Sequence, residues 1–238
     1  MAKILLIETS SEVCSAAIAE DGRILALSEM ADTPSHAAVL TLQIQACVEQ
    51  SGIALAELDA VAISKGPGSY TALRVGASVA KGICYALDKP LLAVDTLKSL
   101  AMAAKNAEKD VTPADLYVPM LDARRQELWL ALYDEQLQEL SPAQPLILEN
   151  NSFEVFLQIN TGNRTFGRVV LSGNGVIKAG SAQISEQAVI SFVKKCSAAY
   201  LTDLAEQAFQ VADFQDIAYF EPYYMKPPNI TTSARTPF

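Results

Sequence analysis

A glycine-rich stretch, KGPGSYTALRVG at residues 65–76, has the residue types of an anion-binding loop. Gly66 and Gly68 permit backbone conformations that other residues avoid, and the flanking pattern predicts a strand before the loop and a helix after it. N–H groups at the start of such a helix favour a phosphate. The Walker and GxGxxG spacings are both absent, so these residues alone favour a structural turn that caps the helix, with phosphate contact as the alternative.

Acidic and hydroxyl side chains follow two strands with similar sequence patterns. Residues 4–8 and 118–122 both read as an apolar run that ends in an acid, Glu8 in the first and Asp122 in the second. A carboxylate followed by hydroxyls can hold a metal-bound phosphate, whereas a polar hairpin turn is the alternative interpretation. The candidate nucleotide-binding residues are Glu8, Thr9, Ser10, Gly66, Gly68, Ser69, Asp122, Gly173 and Gly175.

Residues for nucleophilic or zinc chemistry are scarce. The only histidine, His36, argues against a two-histidine zinc site and against a histidine-based triad, and its place near a helix start suggests a capping or packing role. No CxxC pair occurs, so buried free thiols are expected for the four cysteines, Cys14, Cys47, Cys84 and Cys196. No catalytic residue and no metal ligand is assigned from these patterns.

The charge of the chain is negative but unevenly distributed. The formal net charge is −9, which disfavours binding of nucleic acid by this chain alone, because phosphate neutralisation supplies most non-specific affinity. Residues 65–105 nevertheless carry six basic side chains against two acids, so a basic face could meet an anionic ligand or an acidic partner. No apolar run approaches the length needed to cross a bilayer, and we expect a cytoplasmic protein.

Small residues recur along the helix that follows the glycine loop. Ala72, Gly76, Ala80 and Cys84 fall four apart and therefore lie on one helix face. A glycine inside a helix costs about 1 kcal/mol relative to alanine, so close approach of another element is the natural reason for it. That element is either the chain's own sheet or a helix of another subunit.

The order of predicted elements indicates a mixed α/β fold in two halves. Three short strands joined by tight turns, including Asp21-Gly22, predict an antiparallel meander. Strands separated by helices follow, which indicates parallel neighbours. Around residue 110 the pattern restarts, so the halves are expected to be related.

Several stretches match one known family. KGPGSYTALRVG is similar to the glycine signature of the TsaB (YeaZ) family, and the similarity extends over nearly all of residues 1–226. The departures are Ala72 in place of the usual glycine and Glu8 in place of the usual aspartate. The further matching stretches are ILLIETSSEVCSAAIAEDG, SHAAVLTLQI, KPLLAVDTLKSLA, LDARRQELWLALYD and EPYYMK.

The resemblance implies a fold of the actin-like ATPase superfamily, with two RNase H-like subdomains whose mixed sheets are flanked by helices. It implies a first subdomain at residues 1–108, a smaller second one at 109–196 and a tail at 226–238. A C-terminal helix at about 197–225 is expected to pack back on the first subdomain. These expectations agree with the strand pattern.

The resemblance also implies a function without catalysis by this chain. The catalytic relative TsaD binds a metal through an H-x-x-x-H pair, and the corresponding positions here, Thr96 and Leu100, cannot serve as ligands. We therefore expect a scaffold that activates TsaD in threonylcarbamoyl transfer to the adenosine next to the anticodon of tRNA. The alternative is an ATP-binding, kinase-like enzyme of the same superfamily.

Partners follow from the same resemblance. TsaB proteins pair with TsaD through their first two helices, here about residues 35–51 and 69–87. TsaE, tRNA bound indirectly through the complex, and a homodimer formed through the same helices complete the expected set, with no membrane contact. No cofactor is expected to be required, with at most weak binding of ATP or ADP and Mg²⁺. The predicted partner interface comprises His36, Leu40, Tyr70, Ala72, Leu73, Gly76 and Ala80.

Overall fold

The computed structural model describes residues 2–31, 35–108, 114–149, 151–179 and 187–226. Within them, the first half of the chain is built on a sheet with strand order β3-β2-β1-β4-β5. The first three strands form the predicted antiparallel meander, and β4 and β5 run parallel to β1. The strands are β1 (Lys3–Glu8), β2 (Val13–Glu20), β3 (Arg23–Ala31), β4 (Ala60–Gly66) and β5 (Leu91–Asp95).

The second half repeats this arrangement. Its strand order is β10-β9-β6-β7-β8, so that β6 occupies the place of β1, and the acids Asp122 and Glu8 end the two equivalent strands. The predicted relationship between the halves and the fold class, two mixed sheets flanked by helices, are thereby confirmed. The strands are β6 (Leu116–Asp122), β7 (Glu127–Tyr133), β8 (Glu139–Ile147), β9 (Val169–Ser172) and β10 (Ala188–Ile190).

Helices cover both faces of the first sheet. Alternate residues of β1 point to opposite sides, so Leu5 packs in the core beneath α1 and α2 while Leu6 packs against α6. Helix α3 packs against the second sheet with its apolar face. The described helices are α1 (His36–Ser51), α2 (Tyr70–Leu87), α3 (Thr96–Ala107), α4 (Ser152–Thr161), α5 (Val176–Ala179) and α6 (Thr202–Gln210).

The predicted helix at about 197–225 is wrong in its extent. A 3₁₀ turn at Ala198–Leu201 leads into α6, which ends at Gln210 because Ala212 adopts a left-handed conformation with φ of 53°. Residues 212–226, hereafter the C-terminal segment, then run without a helix along the first half. Their backbone is tied to it by Gln215 N–H, which donates to Leu91 O at 2.8 Å, and by Tyr223 N–H, which donates to Lys65 O at 2.6 Å.

The domain boundaries stay a prediction. The two sheets lie inside the predicted ranges 1–108 and 109–196. All but the first residue of the predicted tail, 226–238, lies outside the described residues. Among the described helices, none combines the length and the apolar composition that a membrane span requires.

Candidate functional site

A cleft of about 620 Å³ separates the two halves. The turn after β1 and the glycine loop form one wall, and the ends of β6 and β7 form the other. The C-terminal segment contributes Tyr224, Met225 and Lys226, and the Lys226 ammonium pairs with Glu127 of the second half. Four of the nine predicted nucleotide-binding residues line this cleft: Ser10, Gly68, Ser69 and Asp122.

Glu8 faces the interior of the chain and not the cleft. The side chain is fully buried, and its Oε1 accepts hydrogen bonds from Ser10 N–H at 2.5 Å and from Ser64 Oγ–H at 2.9 Å. Its Oε2 has no partner among the described residues. Burial raises the pKa of this carboxyl, and the hydrogen bonds from Ser10 and Ser64 offset only part of that increase. Glu8 therefore braces the turn after β1 at an electrostatic cost.

Replacing Glu8 by glutamine is expected to stabilise the chain in a pH-dependent way. Because the folded-state pKa is raised, the folded chain loses stability as the pH rises from the unfolded pKa through the folded pKa. Glutamine keeps an Oε1 acceptor and cannot ionise. We expect Glu8→Gln to raise the free energy of unfolding by about 1 kcal/mol near pH 8 and by much less near pH 4, as measured by urea denaturation.

A matched control tests that interpretation. Glu154 lies exposed on α4, and Glu154→Gln makes the same chemical change without removing a buried charge. We expect it to change the free energy of unfolding little at either pH. A gain for Glu8→Gln of the same size at both pH values would show that charging of this carboxyl does not destabilise the fold.

The glycines of the signature loop are occupied by contacts within the chain. A Cβ atom on Gly68 would lie 2.5 Å from Ser10 O, and one on Gly66 would overlap the carbonyl of Tyr223. The N–H of Ser69, which precedes α2, donates to Ser10 O at 2.7 Å. The loop is therefore packed against the turn after β1 and against the C-terminal segment, so neither glycine has room for a Cβ atom.

The loop after β9, which contains Gly173 and Gly175, is likewise packed against other parts of the chain. Gly173 has φ of 89°, and a Cβ atom there would overlap the carbonyl of Met120. A Cβ atom on Gly175 would lie 2.9 Å from the Met120 side chain. Asp122 is exposed but forms an ion pair with the Lys178 ammonium.

The predicted nucleotide site therefore divides into two groups of residues. Four residues line the cleft, although two of them, Ser10 and Gly68, are themselves buried. The other five are buried and do not line it: Glu8, Thr9, Gly66, Gly173 and Gly175. With its first carboxylate turned inward and its glycine loops packed against backbone, the set does not fit the phosphates of a nucleotide. Nucleotide binding in the cleft stays a prediction that this geometry does not favour.

The predicted interface stripe on α2 is wrong, because it faces the chain's own core. Ala72, Gly76 and Ala80 are buried, and a Cβ atom on Gly76 would lie 2.5 Å from Thr9 Oγ1. Leu73 and Leu40 are likewise buried. The absence of a side chain at Gly76 thus allows the turn after β1 to pack closely against α2. The two remaining predicted residues are partly exposed: His36 at the start of α1 and Tyr70 at the start of α2.

A second set of small residues lies on the outer side of α2, and the prediction from the sequence did not include it. Gly82 is exposed, and a Cβ atom there would have no atom within 4 Å. Glycine weakens the interior of a helix by about 1 kcal/mol relative to alanine, and no contact within the described chain explains it. Five exposed small residues of α1 and α2 form what we call the outer α1–α2 face: Ala37, Thr41, Thr71, Ser78 and Gly82.

The remaining candidates for chemistry are structural. All four cysteines are free and buried, as predicted, and burial raises the pKa of the Cys14 thiol to about 11. Thr96 is buried, and its Oγ1 accepts from Gly66 N–H at 3.2 Å. Leu100 is buried in the core between α3 and the second sheet. Among the described residues, no three His, Cys, Asp or Glu side chains come close enough to share a metal ion.

Comparison with known proteins relates most of the chain to one family. The family model described as "TsaD: tRNA N6-adenosine threonylcarbamoyltransferase" matches residues 30–234. The "tRNA threonylcarbamoyladenosine biosynthesis protein TsaB" of Haemophilus influenzae is 32% identical over 128 residues, 54% of this chain and 52% of that protein. The protein of the same name from Escherichia coli is 33% identical over 133 residues, 55% and 54% of the two chains. The chain thus spans about half the length of the curated relatives it matches.

A solved structure supports the same relationship at the level of the fold. A Pseudomonas aeruginosa protein, described as uncharacterized with similarity to peptidase YEAZ, superposes with a TM-score of 0.76 at 23% identity. The superposition covers 95% of this chain and 100% of that one. The fold of both halves is therefore common to the two proteins.

Proposed function

This chain belongs to the TsaD family, among its TsaB (YeaZ) members, and from that premise we propose that it is a non-catalytic subunit in threonylcarbamoyladenosine synthesis on tRNA. In this proposal, TsaD transfers the threonylcarbamoyl group to the adenosine next to the anticodon. The present chain orders TsaD and increases its activity. It works in the cytoplasm, where the tRNA is, and needs no cofactor of its own.

The observation that carries the non-catalytic role lies at the start of α3. The positions that the family resemblance matches to the metal-binding histidines of TsaD hold Thr96 and Leu100, which are both fully buried. A leucine side chain offers no ligand atom, and the hydroxyl of Thr96 is engaged with the glycine loop. The residues of this chain therefore favour a role in which a partner supplies the chemistry.

We propose the outer α1–α2 face as the surface that meets TsaD. The five residues that define this face are small, which favours close approach of a helix from another subunit beside the larger exposed side chains Arg74 and Tyr85. Gly82 has the open space that such a contact requires and no role within the described chain. The same face would support a homodimer when TsaD is absent, and TsaE would join the assembled pair.

The kinase-like alternative is less well supported. It requires a metal–phosphate site, whereas Glu8 is buried and Asp122 is paired with Lys178. Titration with ATP and Mg²⁺ tests this alternative directly, and tight binding with turnover would favour it over the scaffold.

An omission assay tests the proposed function. TsaD, TsaE, the enzyme that makes threonylcarbamoyl-adenylate, ATP and tRNA are combined with and without this chain, and modified adenosine is counted. We expect product only when the chain is present, together with co-elution of the chain and TsaD. Equal product without the chain would refute the activating role.

A further inference from the structure

A groove of about 510 Å³ runs beside the cleft, between α2 and the C-terminal segment. It is concave, and its walls combine aromatic rings with cationic side chains. Sequence reasoning left this groove unassigned, because half of its residues lie in the C-terminal segment. The residues on which the argument rests are Tyr70, Arg74, Lys81, Phe220, Tyr224 and Lys226.

Two of the cations lack a carboxylate partner. Neither Arg74 nor Lys81 forms an ion pair within the part of the chain that the structure describes, and each instead lies over an aromatic ring. The Arg74 guanidinium carbon is 5.6 Å from the centre of Tyr70, and the Lys81 ammonium is 5.9 Å from that of Phe220. In a chain with a net charge of −9, unpaired cations in a concave surface indicate an anionic ligand.

The aromatic rings form a supported platform. The centres of the Tyr70 and Tyr224 rings are 4.5 Å apart, and both side chains remain partly exposed. The hydrogen bond from Tyr223 N–H to Lys65 O fixes the part of the C-terminal segment that carries Tyr224. Rings held in this way can stack with nucleic-acid bases without selecting a particular base.

The spacing of the cations suits an extended polyanion. Arg74 and Lys81 are seven residues apart on α2 and therefore about 10 Å apart along its axis, which is far enough to hold different phosphate groups of one strand. Lys226 also lines the groove, and its ammonium is paired with Glu127 of the second half. Glu221 is the one acid among the lining residues. Proteins that bind single-stranded nucleic acid commonly combine cation–π contacts of this kind with aromatic rings on which bases stack.

We propose that this groove binds a single-stranded segment of RNA, with bases on Tyr70 and Tyr224 and phosphates on Arg74 and Lys81. The inference rests on the proposed function, since it makes this chain a direct contact for the RNA of the complex. It differs from the expectation that this chain meets tRNA only indirectly, through the complex.

The first test uses the full chain alone with a fluorescently labelled oligouridylate of about 12 nucleotides. Fluorescence anisotropy is measured at several salt concentrations for the wild type and for a double variant, Arg74→Ala with Lys81→Ala. Two lost phosphate contacts are expected to raise Kd roughly tenfold and to reduce the slope of log K against log salt by about 1.4. The matched control, Lys194→Ala with Lys195→Ala, removes the same charge from exposed positions outside the groove and is expected to leave Kd nearly unchanged.

The second test addresses the aromatic platform. Tyr224→Leu removes the ring and is expected to raise Kd at least roughly fivefold, whereas Tyr224→Phe retains a stacking face and is expected to bind as the wild type does. Thermal unfolding of both variants shows whether the segment remains folded. Equal loss of binding in the two variants would contradict stacking.

The outcomes separate this inference from the proposed function. If the wild type and the Arg74→Ala, Lys81→Ala variant bind the oligonucleotide with the same Kd, the proposal that the groove binds RNA is refuted, whatever the result of the omission assay. Loss of TsaD co-elution in the groove variant without any change in RNA binding shows a protein-docking surface and also overturns it. If the amount of modified adenosine does not depend on this chain, the proposed function is refuted. The Kd for the oligonucleotide still tests whether the groove binds RNA.

Discussion

Replacing Gly82 by leucine is expected to abolish stable co-elution with TsaD and to remove most of the product in the complete reaction. The leucine side chain would project from the outer α1–α2 face, where nothing in the described chain lies within 4 Å of the added Cβ. The chain itself should fold, because leucine is a better helix former than glycine. We expect the affinity for TsaD to fall by about tenfold or more, since a helix seated on small residues cannot move aside without losing its packing.

Two controls distinguish this effect from general damage. Gln207→Leu places the same side chain at an exposed position on α6 and should leave co-elution and product unchanged. Gly82→Ala adds a single methyl group and should raise the free energy of unfolding by up to about 1 kcal/mol. If Gly82→Leu binds TsaD as tightly as the wild type does, the partner does not sit on this face.

Replacing Gly68 by alanine is expected to lower the free energy of unfolding, whereas the same substitution at Gly82 is expected to raise it. The added Cβ would lie 2.5 Å from Ser10 O, 2.6 Å from Ser10 Cβ and 2.9 Å from Ser10 Cα. These contacts are with backbone and a buried turn, so they cannot be relieved by rotating a side chain. We expect the free energy of unfolding to fall by about 1–3 kcal/mol, as is usual for an overpacked site.

Urea denaturation of Gly68→Ala and Gly82→Ala side by side measures this contrast. The two variants share one substitution and one loop–helix unit, but only the first glycine is surrounded by other atoms. An increase in stability for Gly68→Ala would mean that the turn after β1 does not pack into the glycine loop. The loop would then be open to the anion that its sequence suggests.

Short-range patterns were sufficient to predict most of the architecture. Alternation, turn residues and apolar runs predicted the meander of the first half, and the recurrence near residue 110 predicted a related second half. The structure shows that the second half has the equivalent strand order. Strand β8 was missed because Pro142 and Pro145 interrupt its pattern. Prolines are tolerated there because β8 is the edge strand of its sheet, which only the pairing of distant strands decides.

The candidate surfaces depended more heavily on tertiary structure. Helical spacing identified a stripe of small residues on α2, but the helix carries a second one, and spacing alone does not say which stripe meets the sheet. Packing of α2 on β1 and β4 buries Gly76 and leaves Gly82 outside. Likewise, the acid at the end of β1 could be read from the sequence, whereas its inward orientation follows from Ser64, which lies on a neighbouring strand.

By itself, the sequence determined the two-half α/β fold, the absence of a histidine pair and the family signature, because these depend on residue identity and local periodicity. Only the tertiary structure decided which glycines have other parts of the chain packed against them and which face open space. It also decided that the C-terminal segment forms a groove with α2. Those features arise where segments far apart in the chain meet, and no pattern within either segment encodes the contact.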